Sequence, residues 1–177
     1  MGSMATIEEG ALKMIDLFKY NWMVREEWFS KCSKLSKNEL VQERQGGHGS
    51  ILKTLFHIID VECSWIQAIH GDVVSEPDYE HYKSLELIRQ LSRESQEIVN
   101  KHLLKWSPTE EFKTVTVPWS AHTYYYGEVI KHVIVHEIHH MGQLSIWAKD
   151  VGLDAVNVNY IGRGIMDGHK GCSKYVL

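Results

Sequence analysis

Seven residues near the C-terminal end of the chain recur at the spacing of a single helix face. Val129, Val133, His136, His140, Leu144, Trp147 and Val151 are separated by 4, 3, 4, 4, 3 and 4 positions. At about 100° per residue they form one stripe. The spacing predicts a helix from about Tyr125 to Val151, closed by Gly152 as a left-handed C-terminal residue. A helix this long with an apolar face must bury that face against other helices. Two imidazoles in the middle of the stripe then need partners, because bare buried polar groups cost free energy.

Three further helices are expected. One runs from about Thr6 to Cys32, with Thr6 as cap and Glu8 and Glu9 at the positive end of its dipole. One starts at the cap Ser50 and ends near Gly71. It is apolar around much of its circumference and so is buried against more than one neighbour. One runs from Ser84 to about Lys105, ahead of Pro108. Leu35 to Gly49 reads as a connection broken by Gly46, Gly47 and Gly49. Phe112 to Ala121 alternates in a β-like manner and reads as a short extended segment or hairpin arm. The expected fold is all-α, a four-helix bundle over residues 5–152, with residues 153–177 a tail packing on the bundle or trailing from it. The start Met1-Gly2-Ser3-Met4 reads as carrying residues added for expression.

Composition narrows the function classes. The net charge is −4, from 19 basic and 23 acidic residues, and no stretch concentrates Lys and Arg, so nucleic acid is excluded as a partner. No run of about 18 apolar residues exists to span a membrane. Three separated cysteines without a CxxC argue for a reducing, cytoplasmic setting rather than a disulfide framework.

Histidine is the outlier, with 11 in the chain. Side chains four apart on a helix can aim at one ion, so His136 and His140 are candidate ligands for a divalent metal. His132 lies two turns from His140, about 12 Å along the axis, too far to share that ion. His139 falls about 100° off the stripe. A third ligand must come from another helix. His57 is best placed, in the middle of the buried second long helix, on a face with Val61, Ser64 and Ala68. His48, His70, His81, His102, His122 and His169 read as loop-borne, terminal or exposed. Asp60 and Glu62 are possible extra ligands but read as solvated. Trp119, Tyr124, Tyr125 and Tyr126 could line a pocket mouth.

The string His136-Glu137-Ile138-His139-His140 also matches the HExxH pattern of zinc peptidases, in which Glu137 would be the general base. The downstream residues are out of register for a third peptidase ligand.

The stretch Gly127 to Leu144, with its paired His136 and His140, resembles the C-terminal helix signature of the DinB/YfiT superfamily. Leu55 to Trp65, with His57, is similar to that superfamily's second-helix signature. The resemblance spans about residues 5 to 152. It implies an up-down-down-up bundle, usually a homodimer. It also implies one divalent ion, nickel or zinc, on His57, His136 and His140. Some relatives are thiol-dependent transferases or isomerases using mycothiol, bacillithiol or glutathione. The implied activity is thus a metal-dependent S-transferase activating a low-molecular-weight thiol for a small-molecule substrate. Two alternatives stand beside it: a hydrolase using metal-bound water with Glu137, and a non-catalytic metal-stabilised stress or binding protein. One departure from the pattern is Met141, where relatives often carry Arg.

Overall fold

Four long helices and one short one carry most of the chain in the computed structural model, which describes residues 4–169, with the backbone alone for 4–13, 168 and 169. The helices are α1 (Met4–Cys32), α2 (Lys37–Val41), α3 (Ile51–His70), α4 (Leu85–Leu103) and α5 (Tyr126–Asp150). A hairpin of β1 (Thr114–Val117) and β2 (Ser120–Tyr125) precedes α5. The expected roles of Met1 to Ser3, of the side chains of Thr6, Glu8, Glu9 and His169, and of Cys172 lie outside the described residues.

Local chemistry accounts for the helix ends. The Ser50 hydroxyl accepts from the Lys53 amide to start α3, and Gly71, at φ 75°, ends it in the left-handed region. Ser84 caps α4 by accepting from the Leu87 amide. The Glu128 carboxylate accepts the Tyr125 amide at 2.9 Å at the start of α5. α2 corrects the expectation of a plain connection from Leu35 to Gly49. It stands on a Ser36–Glu39 capping box, a pattern visible in Ser36-Lys37-Asn38-Glu39. The extended segment is a true hairpin, and its second strand runs on to Tyr125. Val115 and Val117 turn inward while Thr114 and Thr116 face out.

α3 packs between α4 and α5, and α1 closes the ring against those same two helices. Contacts between helix ends give the directions. His70 at the end of α3 stacks on His102 at the end of α4, with centroids 4.0 Å apart. Tyr126, at the start of α5, is hydrogen-bonded to the His70 ring at 2.7 Å. Phe29 and Cys32 near the end of α1 share an apolar cluster with Ile51 and Leu52 at the start of α3. α3 and α4 therefore run together, against α1 and α5. This is the up-down-down-up bundle.

The core is divided. One apolar cluster includes Trp28, Phe29, Leu55 and Leu144, and the other includes Phe18, Ile66, Val99 and Ile130. On α3 and α5 the boundary between the clusters is occupied by Glu62 and Glu137, and Arg25 of α1 reaches between them. The Arg25 Nε and Nη2 donate to the two oxygens of Glu137 at 2.8 and 2.6 Å. Its Nη1 and Nη2 donate to Glu62 at 3.2 and 2.8 Å, and Nη1 also reaches Ser92 of α4 at 3.3 Å. One guanidinium carried on α1 thus touches residues of the other three long helices. Trp22 Nε1 adds a bond to Glu62 at 2.9 Å. All three charged residues are buried. Glu62 is therefore not the solvated side chain expected from the sequence.

The tail packs on the bundle as far as it is described. Val156 is buried in the first cluster, Tyr20 donates its hydroxyl to the Val158 carbonyl at 2.6 Å, and Arg163 pairs with Glu27 at 2.6 Å.

Candidate metal centre

His136 and His140 project from α5 toward α3, one turn apart. His57 meets them from the middle of α3. The Nε2 of His136 lies 3.0 Å from Nε2 of His57 and 3.1 Å from Nε2 of His140. Those separations are an electrostatic problem for three neutral rings. The His136 Nε2 has one in-plane valence, either a proton or a lone pair. It can donate to one neighbour or accept from one, but cannot satisfy both.

The proton of His140 is directed elsewhere. Its Nδ1 lies 2.8 Å from Oε1 of Gln143, and the Gln143 amide nitrogen lies 3.0 Å from Nε2 of exposed His139. The amide donates to His139, so its carbonyl accepts from Nδ1–H of His140. That leaves the Nε2 lone pair of His140 facing the other imidazoles. A hydrogen bond from the ring nitrogen that faces away from the ion fixes the tautomer of metal-binding histidines.

A fourth imidazole joins from the loop after α2. His48 stacks on His57 with centroids 3.4 Å apart, and lies 5.4 Å from the His140 ring. His48, His57 and His140 each offer a ring nitrogen within 4.8 Å of the other two. His48 is loop-borne, as expected, but contrary to expectation it belongs to the cluster. The loop is folded inward by Gly46, Gly47 and Gly49, at φ 80°, 53° and 82°. Gly47 is additionally required by space. A Cβ there would stand 2.7 Å from Gln143 Oε1 and 2.8 Å from the Trp147 ring. The available signal was the Gly-Gly-His-Gly string directly before a capped helix. Gly47→Ala is expected to push the loop off α5, with about 1–2 kcal/mol of backbone strain in addition to the clash. A lowered melting temperature and a displaced His48 ring resonance in NMR would register it; an unchanged ring resonance would count against this packing.

Burial, reinforced by the neighbouring rings, pushes His57 down to about 3 and His136 down to about 4. His140 and His48 are lowered as well, chiefly by burial. The folded state therefore holds neutral rings with free lone pairs, the form that binds cations. The depressed values also set a pH dependence. The ordinary value is 6.5, so these rings favour the fold above about pH 6.5. That contribution is lost as pH falls toward 3–4, because the unfolded chain takes up protons that the fold resists. Metal-free protein melted between pH 7 and pH 4 should lose stability on acidification, and His57→Gln should flatten the slope. Equal slopes for the two proteins would sink this account.

The remaining candidates fall outside the cluster. His132 is exposed, its ring 5.7 Å from that of His136 and 5.4 Å from Trp65. Asp60 lies half-buried beside a separate cleft with Glu76, and burial raises its carboxyl. Trp119 packs edge-on to Trp65 at 5.1 Å, with Tyr124 at 5.6 Å from the same ring. Met141 is buried in the apolar core, so that position faces inward. Glu137 requires a correction. Both of its oxygens are committed to Arg25 in the interior, where burial pushes the carboxyl up against the pull of the guanidinium. A side chain so held is a structural anchor, not the free base that the HExxH reading asks for.

The fold and this cluster define a class: a helical bundle with an inter-helix imidazole group suited to a cation. The chain belongs to the DinB family, whose model matches residues 4–167. It is 41 % identical over 157 residues to the uncharacterized protein YizA of Bacillus subtilis (strain 168), covering 88 % of this chain and 99 % of that one. Its fold is similar to the crystal structure of a DinB-like protein from Bacillus cereus ATCC 10987. The TM-score is 0.65 at 18 % identity, covering 82 % of this chain and 95 % of that one.

Proposed function

We propose that this protein is a metal-dependent enzyme holding one divalent ion, nickel or zinc, on His57, His136 and His140, and that it activates a low-molecular-weight thiol for transfer to a small electrophilic substrate. The observation that carries the metal reading is the His136 Nε2 set between two other Nε2 atoms at 3.0 and 3.1 Å. Nitrogens bound at about 2.0–2.1 Å to one ion lie roughly 2.9–3.4 Å apart at octahedral to tetrahedral angles. The two separations at His136 therefore suit such an ion, and a cation removes the conflict among the lone pairs.

A divalent ion on neutral imidazoles supplies Lewis acidity that makes a bound thiol available as thiolate at neutral pH. The chain's own residues orient and enclose the site. Gln143 holds the His140 proton on Nδ1, and His48 covers one side of His57. The hydrolytic alternative loses its support because Glu137 is bound to Arg25. The non-catalytic alternative draws support from His48, since a fourth imidazole would close the coordination shell, as structural sites do.

Metal analysis of untagged protein tests the site, followed by thiol-dependent consumption of a bimane electrophile. One ion per chain, with turnover that is lost to a chelator and restored by nickel or zinc, is the expected result. A loaded protein inert with every low-molecular-weight thiol would favour the structural role of the ion. A homodimer and a cytoplasmic location belong to the same proposal. The exposed Val135, Ile138 and Ile146 along α5 suit an interface, and Cys32 and Cys63 are free thiols. Among the described residues no helix is long and apolar enough to cross a membrane.

A further inference from the structure

His48 has a second face. Besides stacking on His57, it forms part of the wall of a cleft of about 430 Å³ between the loop after α2, the first turn of α3 and the segment before α4. That size falls among small-molecule sites. The lining is basic: Lys37, Lys53 and Lys83, against Glu43 alone, on a chain whose formal net charge is −4. Lys53 Nζ stands 5.9 Å over the Tyr79 ring, which fixes one wall. Lys83 is paired with Glu80, so part of its charge is spent, while Lys37 and Lys53 have no carboxylate partner among the described residues. All three lysines are exposed, and none belongs to the imidazole cluster.

We infer that this cleft binds the anionic end of the small-molecule ligand, with carboxylate or phosphate groups on the lysines and the other end directed past His48 toward the imidazole cluster. The second contact rests on the metal reading above; the first does not. Acidic small molecules are thereby selected over neutral ones. Selection comes from like charges gathered at one mouth, which raise the local concentration of anions and weaken with salt.

The test compares two thiols on nickel-loaded protein: mercaptosuccinate, which carries two carboxylates, and neutral 2-mercaptoethanol. Binding is read from thiolate-to-metal charge-transfer absorption. Wild type should favour mercaptosuccinate by about tenfold, since three partly screened lysine contacts together reach that order. In the K37Q/K53Q/K83Q variant the preference should fall toward unity while nickel affinity stays unchanged. Succinate and inorganic phosphate are titrated separately into metal-free protein and followed by NMR. Lysine-dependent binding is expected, and the tighter of the two identifies the anion class. A preference that is absent in wild type, or unchanged in the variant, overturns the inference and leaves the metal reading intact. A protein that binds no nickel but still binds succinate or phosphate through the lysines keeps the cleft and removes the metal reading. Loss of both overturns both.

Discussion

An Arg25→Met variant is expected to lose about 3–5 kcal/mol of stability, because it leaves two carboxylates buried without their counter-ion. For a chain of this size that is a fall of roughly 6–20 °C in melting temperature. The geometry explains the magnitude. Arg25 is fully buried, and its guanidinium contacts Glu62 of α3, Ser92 of α4 and Glu137 of α5. The two carboxylates in turn drive the guanidinium pKa further up, so Arg25 remains charged throughout. Removing one acid should be milder. Glu137→Gln keeps the Arg25–Glu62 pair and an amide oxygen for the guanidinium, with an expected cost of about 1–3 kcal/mol. Thermal melts of the two variants should therefore rank R25M well below E137Q. The reverse order would mean that the excess negative charge, not the lost cation, governs the layer. Because Glu137 adjoins His136 in sequence, E137Q also tests the corrected role: it should retain its metal and any turnover.

The second large effect concerns the metal. Nickel or zinc at about a hundred times its dissociation constant should stabilise the wild type by about 2.7 kcal/mol, or roughly 5–10 °C. His57→Ala should abolish that increment. Of the three proposed ligands, the two that remain share α5 and cannot tie it to α3. The metal-free variant should not be strongly destabilised, because removing His57 also removes one of the crowded nitrogens. A variant that still gains the full increment would shift the ligand set to His48, His136 and His140, an outcome the stacking of His48 on His57 makes measurable.

Much of this architecture is periodic and was therefore legible. The stripe on α5, the cap at Ser50 and the stop at Gly71 are local signals. Each depends on residues within a turn or two, so the chain alone specifies them. The helical phase of His136 and His140, and the exclusion of His132 and His139, follow from the same periodicity. α2 was legible too, through its capping box, but five residues without a periodic stripe are easily read as loop.

Other features were not legible, for a common physical reason. The HExxH string that suggests a base at Glu137 lies on one helix. Its actual partner is Arg25, which is 112 positions away. Nothing local in either residue indicates the pairing. Glu62 looked solvated because an isolated acid usually is; the shared guanidinium makes its burial tolerable. The inward fold of the loop carrying His48 depends on three glycines at positive φ and on the close approach of Gly47 to Gln143 and Trp147, far along the chain.

By itself, then, the sequence determined four long helices, the face of α5 that is buried, and a pair of imidazoles on that face in search of a third. Only the tertiary structure decided that four imidazoles converge, that Gln143 sets the tautomer of one, and that a single guanidinium holds the four helices at the level between two apolar clusters. Helix phase is written by neighbours in the chain. Convergence of charges and ring nitrogens is written by packing, which brings together side chains whose separation in sequence carries no record of their meeting.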